Sequence, residues 1–138
     1  MYGHHGAAIN VTNGNYTYFL YPENLDDGNL YQYTLMPMHI LSMFSTDELK
    51  LAKLHQPFNF TKEVPLLKIP VIKNSEFYKR HGPGSLIETN TMLFDLTIDP
   101  DQKSPITNPE SEEMMKNAII KIMVESDAPK ELFARFNL

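Results

Sequence analysis

The sequence predicts an α+β fold: an antiparallel sheet of about four strands covered by a carboxy-terminal helix, with a long irregular insertion. Three stretches predict it. Ala8 to Tyr21 forms two β-rich runs around Asn13-Gly14, Met92 to Thr97 alternates as a strand does, and Asn108 to Met123 carries a helical stripe behind a capping residue.

The first run, Ala8-Ile9-Asn10-Val11-Thr12, and the second, Asn15 to Tyr21, are rich in β-branched and aromatic residues. Asn13-Gly14 between them supplies the two positive-φ positions of a type I′ hairpin turn. Pro22 ends the second strand, and Asp26-Asp27-Gly28-Asn29 is a loop. Leu30 to Met36 alternates again, predicting a third strand stopped by Pro37.

The insertion follows, over residues 37–90. Ser45-Thr46-Asp47-Glu48 is a capping box, with Phe44 and Leu49 placed as a hydrophobic staple, and predicts a short helix through Leu54. Pro57, Pro65, Pro70 and Pro83 then punctuate two apolar patches, Phe58-Asn59-Phe60 and Val64 to Ile72. Short extended pieces and loops are expected here, serving as arm, lid or dimer contact.

Met92, Phe94 and Leu96 alternate with Leu93, Asp95 and Thr97, the fourth strand, and Asp99-Pro100-Asp101 turns the chain. Asn108 caps the main helix, Pro109 suits its first position, and Glu110, Glu112 and Glu113 complement its dipole. Met115, Ala118, Ile119, Ile122 and Met123 form its apolar stripe, with Met114 at the edge. Each large side chain of that stripe contributes about 1.5–3 kcal/mol when fully buried, so the sheet needs this helix. Asp127-Ala128-Pro129 restarts a short terminal helix with Leu132, Phe133 and Phe136 on its apolar side.

A chain of 138 residues, 42% hydrophobic and 21% charged, fits one domain spanning residues 1–138. Its net charge is -5, and only Lys79-Arg80-His81 approaches a basic cluster, which argues against nucleic acid or an anionic membrane as partner. The absence of cysteine excludes disulfides, thiolate nucleophiles and cysteine metal sites. No apolar run approaches the ~20 residues of a membrane helix. Met1-Tyr2-Gly3-His4-His5-Gly6 lacks the basic start and apolar middle of a signal peptide, so with Met1 as the start a cytoplasmic location is expected.

Candidate chemistry is sparse. His4, His5, His39, His55 and His81 show neither i, i+4 spacing nor an HExxH context, so no metal site is expected. The glycines around His4 and His5 permit close backbone approach to a ligand; the plainer reading is a flexible terminus with solvated imidazoles. His81-Gly82-Pro83-Gly84 lacks the lysine and strand-loop-helix setting of a phosphate loop. Asp26-Asp27 and Asp95 suit turn and backbone hydrogen bonding. Met36, Met38 and Met43 read first as core filling and otherwise as a soft binding surface. No serine sits in a GxSxG elbow.

Asn10-Val11-Thr12-Asn13-Gly14-Asn15-Tyr16-Thr17-Tyr18 resembles the segment where many bacterial sulfatases of the alkaline phosphatase superfamily begin their carboxy-terminal sheet. Leu93-Phe94-Asp95-Leu96-Thr97-Ile98-Asp99-Pro100 resembles their closing strand, and Ile106, Pro109 and Glu110 the loop and helix start after it. A looser likeness runs from Tyr31 to Pro70. Asp101-Gln102 and Pro105-Ile106 depart from the usual Gly-Glu and Asn-Leu of that family.

The resemblance implies a carboxy-terminal subdomain without the catalytic apparatus. Such sulfatases use a formylglycine made in a C/S-x-P-x-R motif beside a calcium ion, all of it ahead of this subdomain. The arginines here, Arg80 and Arg135, lie in no such motif. Sulfate ester hydrolysis needs an activated nucleophile and cations on the transferred group, so the chain is expected to be inactive alone. No cofactor is expected in this chain; calcium and formylglycine belong to the catalytic domain. The expected partner is that catalytic domain, or a second copy meeting it through an exposed apolar face. His4 and His5, ahead of the first expected strand, are the residues expected near the substrate pocket. A stand-alone binding or oligomerisation module without hydrolase activity is the alternative; a small hydrolase built on the scattered histidines is disfavoured.

Overall fold

The computed structural model describes residues 1–4, 6–25, 29–38, 42–73, 75 and 90–138, for residues 2–4 the backbone only. Strands β1 (Tyr2–His4), β2 (Ala8–Thr12), β3 (Tyr16–Leu20) and β7 (Met92–Asp95) form one antiparallel sheet in the order β1-β2-β3-β7. Strands β4 (Tyr31–Thr34), β5 (Lys53–His55) and β6 (Leu66–Pro70) form a second, in the order β4-β6-β5. Helix α1 is Thr46–Lys50, α2 is Pro109–Glu125 and α3 is Lys130–Phe136. The α+β class is as the sequence predicts.

Register makes the core. Val11 pairs with Tyr18, and Tyr18 with Leu93, so three large side chains line one face of the first sheet. Met115, Ile119 and Met123, spaced four apart, bring one stripe of α2 onto that face, and Phe136 of α3 closes it. Asn108 caps α2 by accepting from the Ser111 N–H at 3.1 Å, and Pro109 takes the first helical position. On the sheet's other face Phe19 and Phe94 meet edge to face, centroids 5.8 Å apart. Asp95 and Asp99 serve the backbone: their carboxylates accept from Thr97 N–H at 2.9 Å and Ser104 N–H at 2.7 Å.

Several elements differ from expectation. The first sheet takes its fourth strand from Tyr2–His4, in the segment where a flexible terminus is the plainer expectation. Tyr31–Thr34 starts the second sheet instead, because its ladder pairs with Leu66–Pro70, placing Gln32 opposite the fully buried Ile69. Ser45 forms the expected capping box with Glu48, yet the helix stops at Lys50. Lys53–His55 pairs with Leu66–Lys68, so strand pairing overrides local helical preference there. The Asn13-Gly14 turn is not type I′. Gly14 takes φ +92° but Asn13 does not take a positive φ. Its side chain accepts instead from the Asn15 and Tyr16 N–H groups at 3.0 and 2.8 Å, and its own N–H donates to the Tyr16 carbonyl at 3.2 Å, so Gly14 and Asn15 stand at the centre of the turn. Met36, Met38 and Met43 are exposed rather than core filling, with a lone bridge joining Met38 and Met43. The loop at Asp26-Asp27-Gly28, His39, and the segment holding Lys79-Arg80-His81, Gly82, Pro83 and Gly84 lie outside the described residues. No helix among the described residues is long and apolar enough to cross a membrane.

Candidate functional site

Where α3 meets the second sheet, a polar cluster lies beside an aromatic wall. Tyr33 and Lys68 are cross-strand partners on β4 and β6, so both side chains rise from one face. Glu131, in the first turn of α3, reaches down to them. Its Oε1 accepts from the Tyr33 hydroxyl and from Lys68 Nζ at 2.7 Å. The ammonium also stands over the Tyr31 and Tyr33 rings, 4.0 and 5.4 Å from their centroids.

Charge in this cluster is locked. Burial works against an ionised Glu131, but the hydrogen bonds from Lys68 and Tyr33 outweigh it and lower its pKa. Burial likewise opposes a charged Lys68, and its bonds to Glu131 and Tyr33 overcome that and raise its pKa. Burial first, and the carboxylate second, push the Tyr33 phenol up to about 12. At neutral pH the trio is an ammonium, a carboxylate and a neutral phenol, which sum to no net charge. The phenol is not ionised and the ammonium has no lone pair, so the cluster suits holding and orienting, not nucleophilic catalysis.

The aromatic wall continues from it. Tyr33 packs edge-on to Phe58 with centroids 5.2 Å apart, and Phe58 stacks on Phe60 at 5.3 Å and 16°. His55 sits against Tyr33 and Phe58 at 5.0 and 5.2 Å, with Nδ1 2.7 Å from the Gln56 carbonyl oxygen, so it is a packing residue. Phe60 is 68% exposed. Asn59 N–H donates to Asp127 at 2.8 Å, fastening this wall to the elbow between α2 and α3.

Between that wall and the first sheet opens a cleft of about 630 Å³. Tyr31, Tyr33, Phe58 and Phe60 line one side; Ala8, Ile9, Met123, Ala128, Pro129, Leu132 and Phe136 line the other. The polar residues along it are Tyr31, Gln32, Tyr33, Ser126, Asp127 and Glu131. Such an apolar recess with a few converging polar groups has the size and character of a small-molecule site.

Of the residues expected near a substrate pocket, only the backbone of His4 is described. The β1–β2 ladder pairs His4 with Ala8, a lining residue, while His5 lies outside the described residues. The sequence offers no signal for the Tyr33–Lys68–Glu131 cluster, because its members lie on three separate elements. Among the described residues no three of His, Asp and Glu converge as a metal site would require. No C/S-x-P-x-R motif occurs in the sequence, so a formylglycine of that kind has no precursor residue in it. Comparison with protein-family models, with curated proteins and with solved structures finds no match for this chain.

Proposed function

We propose that this chain is the non-catalytic carboxy-terminal part of a sulfatase-like sulfuric ester hydrolase, bracing the catalytic domain and shaping its substrate pocket. The observation that carries the reading is where the exposed apolar side chains gather. Leu35, Met36, Met43, Leu51, Leu54 and Val64 are each at least half exposed and belong to the second sheet, α1 or their connections, while Met1, Phe60, Ile98 and Val124 stand outside that group. Exposed apolar surface concentrated in one part of a molecule marks an interaction face. The methionines add adaptable, polarisable contact there. The partner that suits it is a domain carrying C/S-x-P-x-R and a calcium site, whose chemistry this chain's residues do not supply.

Self-association through the same face, with the chain as a binding or oligomerisation module, is the second reading; the small-molecule character of the cleft favours it. The test is co-expression with a polypeptide bearing C/S-x-P-x-R from the same genomic neighbourhood. A one-to-one complex that hydrolyses an arylsulfate with calcium, while the 138-residue chain alone does not, is the expected result. Turnover by the chain alone, or a stable homodimer that ignores such a polypeptide, overturns it.

A further inference from the structure

The geometry points to a ligand site of this chain's own: we propose that the cleft between the first sheet, the Phe58–Phe60 wall and the α2–α3 elbow binds an uncharged amphiphile, an aryl or alkyl body ending in one hydroxyl or N–H donor. This goes beyond the docking reading and does not depend on it, because the exposed face of Leu54 and Met43 is a different surface.

Charge selects the class. Among the described residues the cleft's charged lining side chains are the carboxylates of Asp127 and Glu131, and Lys68 is bonded to Glu131. Glu131 is neutralised by Lys68, so among the described side chains an anionic ligand meets the net negative charge of Asp127 and gains no counter-ion to offset its desolvation in this apolar recess. A cationic ligand has the Asp127 carboxylate alone to offset its desolvation, and that group already accepts from Asn59 N–H while Lys68 occupies the Tyr31 and Tyr33 rings. A neutral body is what remains.

Polarity selects the shape. Most of the lining is hydrocarbon or aromatic, so a ligand rich in hydroxyls, such as a sugar, leaves donors and acceptors unsatisfied against Ile9, Met123 and Leu132. Glu131, by contrast, takes the Tyr33 hydroxyl and Lys68 Nζ on Oε1, and its carboxylate keeps lone pairs on Oε2 for a further donor. One polar end thus has a place, and the exposed ring of Phe60, stacked on Phe58, gives a flat body a platform at the mouth.

The experiment is a fluorescence titration of the full chain with two probes sharing one ring system. N-phenyl-1-naphthylamine is neutral with a single N–H; 8-anilinonaphthalene-1-sulfonate adds a negative sulfonate. The neutral probe is expected to bind saturably, one per chain, and at least about tenfold more tightly than the sulfonate. Phe60→Ala, at an exposed position with unchanged circular dichroism as its control, is expected to weaken the neutral probe. Asp127→Asn is expected to narrow the gap between the probes, and Leu54→Ser, on the docking face, to change neither. Equal or tighter binding of the sulfonate, no saturable binding of the neutral probe, indifference to Phe60→Ala, sensitivity to Leu54→Ser, or displacement of the probe by neutral monosaccharides each overturns the assignment.

Discussion

Arg135 Nε stands 2.7 Å from the carbonyl oxygen of Gly6, a hydrogen bond that spans nearly the whole chain. Its Nη2 donates to the Leu25 carbonyl at 2.9 Å, and the residue is 5% exposed. One guanidinium on α3 therefore anchors the β1–β2 turn and the connection leaving β3 at the same time. A planar fork of donors is suited to this, since each arm meets a separate carbonyl. Arg135→Met keeps the stem but leaves two carbonyls without this donor. Hydrogen bonds from a charged donor contribute ~1.5–3 kcal/mol each, so a fall in Tm on the order of 10 °C is expected. Arg135→Lys, which keeps the charge and loses the fork, is expected to fall between the two in thermal melts. Equal melting of all three proteins contradicts the anchor.

Gly6 and Gly14 allow a matched comparison of strain and clash. Both take positive φ, +71° and +92°, where a side chain is strained by about 1 kcal/mol. At Gly14 a Cβ meets nothing within 4 Å, whereas at Gly6 it stands 2.6 Å from both Cδ atoms of Leu30. Leu30 is buried and has little room to withdraw. Gly14→Ala is expected to cost about 1 kcal/mol in urea unfolding, and Gly6→Ala at least twice that, the overlap adding an overpacking cost of ~1–3 kcal/mol. Equal costs at the two sites would remove the close approach as the reason for glycine at position 6.

The parts legible in the sequence are those decided within a few residues. Asn108, Pro109 and the spacing of Met115, Ile119 and Met123 define α2 by local rules, and the structure follows them. The capping box at Ser45 likewise starts α1 where expected. What sequence reading misses is decided by partners far along the chain. Leu30 to Met36 reads as a strand but carries no mark of which sheet it joins; Leu66–Pro70 settles that. Lys53–His55 reads as helix until β6 pairs with it. Lys68 and Glu131, 63 residues apart, look like two ordinary surface charges until the fold brings them to 2.7 Å. Arg135 looks equally ordinary beside Phe136, and its burial follows from carbonyls more than a hundred residues away.

Helix α2 shows the contrast between its two methionine-bearing faces. Ile119 is fully buried in the core, while Met114 is 45% exposed. Ile119→Ala removes atoms packed against the sheet and leaves a cavity, at a cost of ~2–5 kcal/mol. Met114→Ala removes a side chain near solvent and improves helix propensity, so its change is expected within about 0.5 kcal/mol. Denaturant unfolding of the two variants measures the difference directly, and a large effect at Met114 would mean that this edge of α2 is covered in solution.

Two phenols govern the alkaline limit of stability. Burial, assisted by Glu112 and Glu113, pushes Tyr18 up to about 12, and burial with the Glu131 bond pushes Tyr33 to about 12. Both hold their protons more tightly folded than unfolded, where a tyrosine titrates near ~10. Their stabilising contribution is therefore complete below pH ~10 and is lost as pH rises toward 12. The two then separate by their partners. Tyr18 OH is buried without a hydrogen-bond partner among the described residues, so Tyr18→Phe removes an unmet polar group. That variant is expected to equal or exceed the parent by about 1 kcal/mol at neutral pH and to lose less of its stability between pH 10 and 12. Tyr33→Phe also flattens the alkaline decline but is expected to be less stable at neutral pH, because Glu131 loses a donor. At the acid end the sign reverses: Glu131, its pKa lowered in the fold, contributes above the unfolded carboxylate range, and that contribution is lost as pH falls through its folded value. Thermal melts of the three proteins across pH 7 to 12 read out both phenols, and parallel curves for all three would show that neither phenol's proton is coupled to folding.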